Sequence, residues 1–271
     1  METTGDGRTD GARLSNPFAA ALARDRTLVG LWHVINDRAA TEALADVPFD
    51  FVIVDMQHWM ATLDDIAQVV SILRHSSVSV VVRVPGNTPA VIGQVLDIGV
   101  DAVIVPMVNS AVDAMAAVRA ATYPPAGIRS WGPRRLHRFD SPQDYALRAD
   151  ANAVVIVQIE TAESVAAIED IAAVAGIGAI AVGPADLAIS MGFSQDRSHA
   201  AVAEAARQVR AVCQDAGVPF GFFAGSRADA VQWLAEGLAI TACESDLGFA
   251  IQGARELAVE LDTARAAVPG I

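Results

Sequence analysis

A chain of 271 residues, 53% of them hydrophobic, has enough apolar side chains for one large core, and α/β barrels of about 250 residues form single domains. The formal net charge of −13 excludes a broad phosphate-binding face, so no nucleic-acid partner is expected. All 19 basic side chains are arginine; the lack of lysine excludes a Schiff-base aldolase mechanism, covalent pyridoxal phosphate (PLP) attachment and a P-loop.

Residues 1–20 are expected to form a frayed tail ahead of a barrel domain spanning 21–271, because their first part is polar and acidic with no apolar h-region. No stretch has the length and apolarity of a membrane span, so a cytoplasmic protein without a membrane partner is expected. Short apolar runs then alternate with helix-length segments. The predicted strands are Leu28 to Trp32, Phe49 to Asp55, Val78 to Arg83, Ala102 to Pro106, Ala153 to Glu160, Ile177 to Val182, Pro219 to Phe223 and Ala239 to Ala242.

The helices between them carry an apolar period of 3.6. Asp64, Asn87-Thr88-Pro89 and Ser226 mark expected starts, and Gly99, Gly217 and Gly237 expected ends. Eight even βα units predict a closed (β/α)8 TIM barrel. No glycine fingerprint follows the first strand, which argues against a Rossmann sheet and an NAD site. The one long insertion, Tyr123 to about Asp150, is rich in Pro, Gly and Arg, and loops of that length are usually functional. Cys213 and Cys243 stand apart without metal or redox spacing and are expected to be reduced thiols.

Barrel sites lie at the C-terminal ends of the strands, so what each strand ends in carries the functional signal. The first ends in Trp32 and His33, the second in Asp55-Met56-Gln57-His58, the third in Arg83, the fifth in Gln158 and Glu160, and the sixth in Gly183-Pro184-Ala185-Asp186. Glu160 and Asp186 close neighbouring strands and are either a hard-oxygen site for Mg²⁺ or Mn²⁺ or arginine-paired carboxylates of the rim. Arg83 ends a buried strand and needs an anion, supplied by a substrate or by an Asp or Glu. His58 is a candidate general base whose tautomer an Asp such as Asp55 would fix, or else simply a loop histidine. Arg129, Arg134, Arg135 and Arg138 either hold a distal carboxylate of the substrate or form a solvated basic loop or subunit contact.

The runs FDFVIVDMQH, VVRV, YPPAGIRS, VQIET and GPADL, in this order and spacing, resemble the HpcH/HpaI aldolases. The resemblance implies a TIM barrel of the phosphoenolpyruvate/pyruvate type and a class II aldolase acting on pyruvate and an aldehyde. A divalent metal, Mg²⁺, Mn²⁺ or Co²⁺, would be held by Glu160 and Asp186. By the same resemblance Arg83 contacts the pyruvyl oxygen, His58 is the catalytic histidine, and Gln158, Gly183, Pro184 and Ala185 hold the pyruvate end. Trp32 lies near the site, and Asp97 pairs with the histidine across a subunit interface. The implied assembly is a hexamer that exchanges its last helix between subunits. Gln57 stands where many members carry Glu, and Trp59 follows His58 in place of a small residue, which points to an altered acceptor side. Two alternatives stay open: a superfamily relative acting as an acyl-CoA lyase or decarboxylase, and a catalytically silent metabolite-binding barrel.

Overall fold

Eight runs of four to six residues, rich in Val, Ile, Ala and Phe, pair side by side in parallel and in sequence order, and the eighth returns to the first. This architecture comes from a computed structural model that describes residues 16–133, 141–194 and 196–267. The chain begins with α1 (Pro17–Leu22) and β1 (Leu28–His33), followed by α2 (Arg38–Leu44), β2 (Phe51–Asp55) and α3 (Leu63–Leu73). Next come β3 (Ser79–Arg83), α4 (Pro89–Ile98), β4 (Ala102–Val105), α5 (Ala111–Ala121), α6 (Pro142–Asn152) and β5 (Val154–Ile159). The short helices α7 (Ala162–Ala166) and α8 (Ile168–Ala172) lead to β6 (Ala179–Val182), then α9 (Pro184–Ser190) and α10 (Ala200–Ala216). β7 (Phe220–Ala224), α11 (Arg227–Ala235), β8 (Ile240–Ser245) and α12 (Asp246–Ala266) complete the chain.

Alternation along each strand splits the core in two. Phe51, Ile53, Val81, Ile104, Val154, Ile156, Ala179, Ala181, Phe223, Ile240 and Ala242 fill the barrel interior. Val52, Val54, Val80, Val82, Val103, Val155, Val157, Ile180 and Val182 face the helices instead. Continuing the inner phase upward from these residues sends Trp32, Asp55, Arg83, Gln158, Glu160, Gly183 and Gly225 to the C-terminal mouth.

All eight predicted strands form, with ends shifted by up to three residues. The N-cap of α3 is Thr62 rather than Asp64: its hydroxyl accepts from Asp65 N, and the Asp65 carboxylate accepts from Thr62 N. Thr88 with Pro89, Ser226, Gly99 and Gly217 stand at helix ends as expected; α11 is C-capped by Glu236, and Gly237 follows it in the left-handed region. Asn16 caps α1, so residues 17–20 of the expected tail are helical, and the rest of that tail lies outside the described residues. Phe18 is fully buried edge-on against Phe51, so α1 seals the barrel floor. Part of the long insertion is the helix α6.

At the other terminus α12 lies outside the core. Every residue from Phe249 to Ala267 is exposed, Leu257 at 55%, Val259 at 67% and Leu261 at 60%. Among the described residues no helix is long and apolar enough to cross a membrane. Both cysteines are free thiols, and burial pushes Cys213 up to about 12.

Candidate active site

Asp55 and Arg83 stand opposite each other in the β2–β3 register, both facing inward. Arg83 donates from Nε to Asp55 Oδ1 at 2.9 Å and from Nη2 to Oδ2 at 2.6 Å, a buried bidentate pair. The guanidinium lies 4.5 Å from the centre of the Trp32 ring, which in turn meets Phe223 edge-on at 5.6 Å. Nε and Nη2 are spent on Asp55, and among the described residues Nη1 has no hydrogen-bond partner. Asp55 also accepts from Gln57 N at 2.9 Å, so its carboxylate orients Arg83 and the loop rather than His58.

Glu160 follows β5 and is 1% exposed. Its Oε1 accepts from Met107 N at 2.7 Å, and its Oε2 accepts from the Gln158 amide. Burial raises its pKa above the ordinary glutamate value; the charge of Asp186 adds to the rise, while the Met107 N–H, Arg83 and Gln158 work against it. Asp186, half-buried in the first turn of α9, thus lies within electrostatic reach of Glu160. A β-carbon on Gly183 would sit 2.5 Å from Gln158 Nε2 and 3.0 Å from Glu160 Oε2, so only glycine lets the β6 end approach this pair.

Two carboxylates with too little positive charge between them, beside a buried Gln158 Oε1 that has no hydrogen-bond partner, fit a hard divalent cation. Among the described residues no three His, Cys, Asp or Glu side chains gather into a fuller cage, so such an ion would take its other ligands from water or substrate. Of the expected site residues, Trp32, Asp55, Arg83, Gln158, Glu160, Gly183, Pro184, Ala185 and Asp186 converge on the ends of β1, β2, β3, β5 and β6. His58 and Trp59 lie exposed on the loop after β2, Trp59 at 43% and the adjoining Met60 at 97%. Asp97 is on α4, where its Oδ1 accepts from Arg129 Nη2 at 2.6 Å. Arg129 is thereby taken up, stacked 4.7 Å over Tyr123, and Arg134, Arg135 and Arg138 fall outside the described residues.

One group escaped the sequence reading. Met107, at the end of β4, has a φ of 55°, an uncommon conformation for a non-glycine residue that aims its N–H at Glu160. Its contribution is main-chain, which no side-chain motif encodes. His33 is fully buried and does not line the mouth: Nδ1 meets Asp246 Oδ2 at 2.6 Å and Nε2 meets Thr41 Oγ1 at 2.8 Å. Burial works against the Asp246 charge, but bonds from His33, Val34 N and Leu247 N hold its carboxyl below the usual range.

A family model described as HpcH/HpaI aldolase/citrate lyase matches residues 28–253. The chain is 35% identical over 250 residues to the 5-keto-4-deoxy-D-glucarate aldolase of Klebsiella pneumoniae, covering 92% of this chain and 98% of the relative. Among solved structures it is similar to an HpcH/HpaI aldolase/citrate lyase family protein from Burkholderia cenocepacia, with a TM-score of 0.87, 33% identity and coverage of 92% and 100%. An HpcH/HpaI aldolase from Desulfitobacterium hafniense follows with a TM-score of 0.84, 28% identity and coverage of 93% and 97%.

Proposed function

Because the chain belongs to the HpcH/HpaI aldolase/citrate lyase family, whose members are carbon–carbon lyases, we propose that it is a divalent-metal-dependent aldolase that cleaves and forms 4-hydroxy-2-oxo acids. The products of cleavage are pyruvate and an aldehyde. The observation that carries this reading is the buried Glu160 within electrostatic reach of Asp186, flanked by Gln158 and the Arg83–Asp55 pair at one barrel mouth.

Glu160 and Asp186 would hold the cation, Mg²⁺, Mn²⁺ or Co²⁺. When bound, it polarises the 2-oxo group and lowers the barrier to carbanion character at the neighbouring carbon. Arg83, fixed by Asp55 and backed by Trp32, directs its free Nη1 at the 2-oxo oxygen, where negative charge gathers as the C3–C4 bond breaks. Gln158 and the main chain at Gly183, Pro184 and Ala185 seat the pyruvate carboxylate. His58, directly or through water, takes the proton of the C4 hydroxyl, C4 leaves as the aldehyde, and C3 is reprotonated to give the methyl group of pyruvate. Loss of carbon dioxide from oxaloacetate passes through the same charge distribution and is an expected side activity.

The substrate class follows from the relative's name. In 5-keto-4-deoxy-D-glucarate the ketone lies beside one carboxylate and the deoxy carbon beside the ketone. Cleavage there yields pyruvate and a three-carbon aldehyde with its own carboxylate, tartronate semialdehyde. Met107, Trp59 and Met60 add apolar surface around this mouth.

The uncovered α12 supports a homo-oligomer, a hexamer by family likeness, in which the helix packs on a neighbouring copy. Asp97 would then face His58 of the partner subunit. The reading also places the protein in the cytoplasm, where its two thiols stay reduced.

Proton exchange tests the reading. With Mg²⁺, Mn²⁺ or Co²⁺ the protein should wash the methyl protons of pyruvate into D2O, followed by NMR, and Glu160→Gln and Asp186→Asn should each abolish the exchange. Absence of exchange with all three metals would overturn the aldolase assignment.

A further inference from the structure

We propose that Arg197 recognises an anionic group on the aldehyde half of the substrate and that Gly225 is the gap its guanidinium fills, an inference that rests on the aldolase reading above. Gly225 directly follows the last residue of β7. Along that strand a β-carbon on Gly221 would touch Ala181 and Ile240, and Phe223 belongs to the barrel interior, so the side-chain position of Gly225 continues the inward phase over the mouth. A β-carbon there would lie 2.9 Å from Arg197 Nε and 3.0 Å from Nη1. The guanidinium, arriving from the exposed segment between α9 and α10, therefore occupies the space over Gly225 at the C-terminal end of β7.

Among the described residues Arg197 forms no ion pair, whereas the other arginines placed around this end are engaged: Arg83 with Asp55, Arg129 with Asp97 and Arg227 with Glu244. In a chain with 32 acidic and 19 basic residues, an exposed arginine spared from those acids and lying against the end of β7 is available for a ligand anion. The guanidinium fork matches a carboxylate in two parallel hydrogen bonds. β3 and β7 stand four places apart in a closed ring of eight, on opposite sides of the mouth. Arg83 Nη1 and Arg197 thus bracket the opening, an arrangement suited to a substrate charged at both ends. Arg197 meets the distal carboxylate from the β7 side, while Arg129 is already paired with Asp97.

The test uses a matched pair of aldehydes, tartronate semialdehyde and glyceraldehyde, which differ in carrying a carboxylate or a hydroxymethyl group. The metal-loaded wild type should favour the charged aldehyde. Arg197→Gln should lower kcat/KM for tartronate semialdehyde about 10- to 100-fold, mainly through KM, and change that for glyceraldehyde by no more than about twofold. Gly225→Ala, which keeps the charge but displaces the guanidinium, should show the same selective loss, and pyruvate methyl exchange should persist in both variants. Equal losses for the two aldehydes, no loss, loss of pyruvate exchange, or a wild type indifferent to the carboxylate would each overturn the role of Arg197. A wild type that fails to exchange pyruvate protons at all would overturn the aldolase reading and this inference together.

Discussion

Glu160 carries a charge in the wrong place for stability and the right place for a cation. Burial and Asp186 raise its pKa, so between the ordinary value of 4.5 and the raised one the folded state holds a proton that the unfolded chain has released. The metal-free protein should therefore lose stability as pH rises through that window, and Glu160→Gln should remove this slope and melt a few degrees higher than wild type. The same substitution should cancel the cation's stabilisation, which for wild type is about 2.7 kcal/mol at a hundredfold excess over Kd. Thermal melts across pH, with and without Mg²⁺, check both; an unaltered pH slope would remove the strained-carboxylate account. The position of Glu160 was legible because it continues the inward phase of β5, whereas Asp186 belongs to the first turn of α9 rather than to the end of β6. The partner of Asp55 was not: whether its carboxylate turns to Arg83 or His58 depends on side-chain direction across a strand pair, and the in-register guanidinium wins.

Strands proved easier to read than their flanks. A run such as FVIVD can lie only in a doubly covered sheet, and eight of them leave little freedom in topology. His33 was misplaced by one residue of phase: Trp32 points into the barrel, so His33 points outward beneath the root of α12. The start of α3 was read two residues late because Asp64 is a plausible cap, yet the reciprocal bonds between Thr62 and Asp65 settle it. Thr62→Ala should cost about 1 kcal/mol and lower Tm by roughly 2–4 °C without altering turnover, measurable by calorimetry and a pyruvate assay. A fall in turnover at unchanged Tm would show that the cap positions the β2 loop instead. The helix α1 was missed because the six residues PFAAAL are too few to display a period.

For the whole molecule, closure of the barrel was visible in the sequence as even βα repetition, whereas the surface that would cover the apolar residues of α12 is not contained in one chain. Light scattering should find an assembly whose Tm rises with protein concentration, and Leu257→Glu combined with Leu261→Glu should reduce both the mass and that dependence. A monomeric wild type at micromolar concentration would refute the covering of α12 by another copy. That helix, about 31 Å long at 1.5 Å per residue, leaves the barrel in a direction set at its base. Asp246 accepts from Val34 N, Leu247 N and His33, and Ser245 caps Gly248 N. Two chains that meet therefore do not have to search for the helix's orientation. In the proposed assembly, association would be rigid docking of a pre-aimed rod, and loosening the Asp246 anchor would slow the meeting of chains before it weakened their final grip.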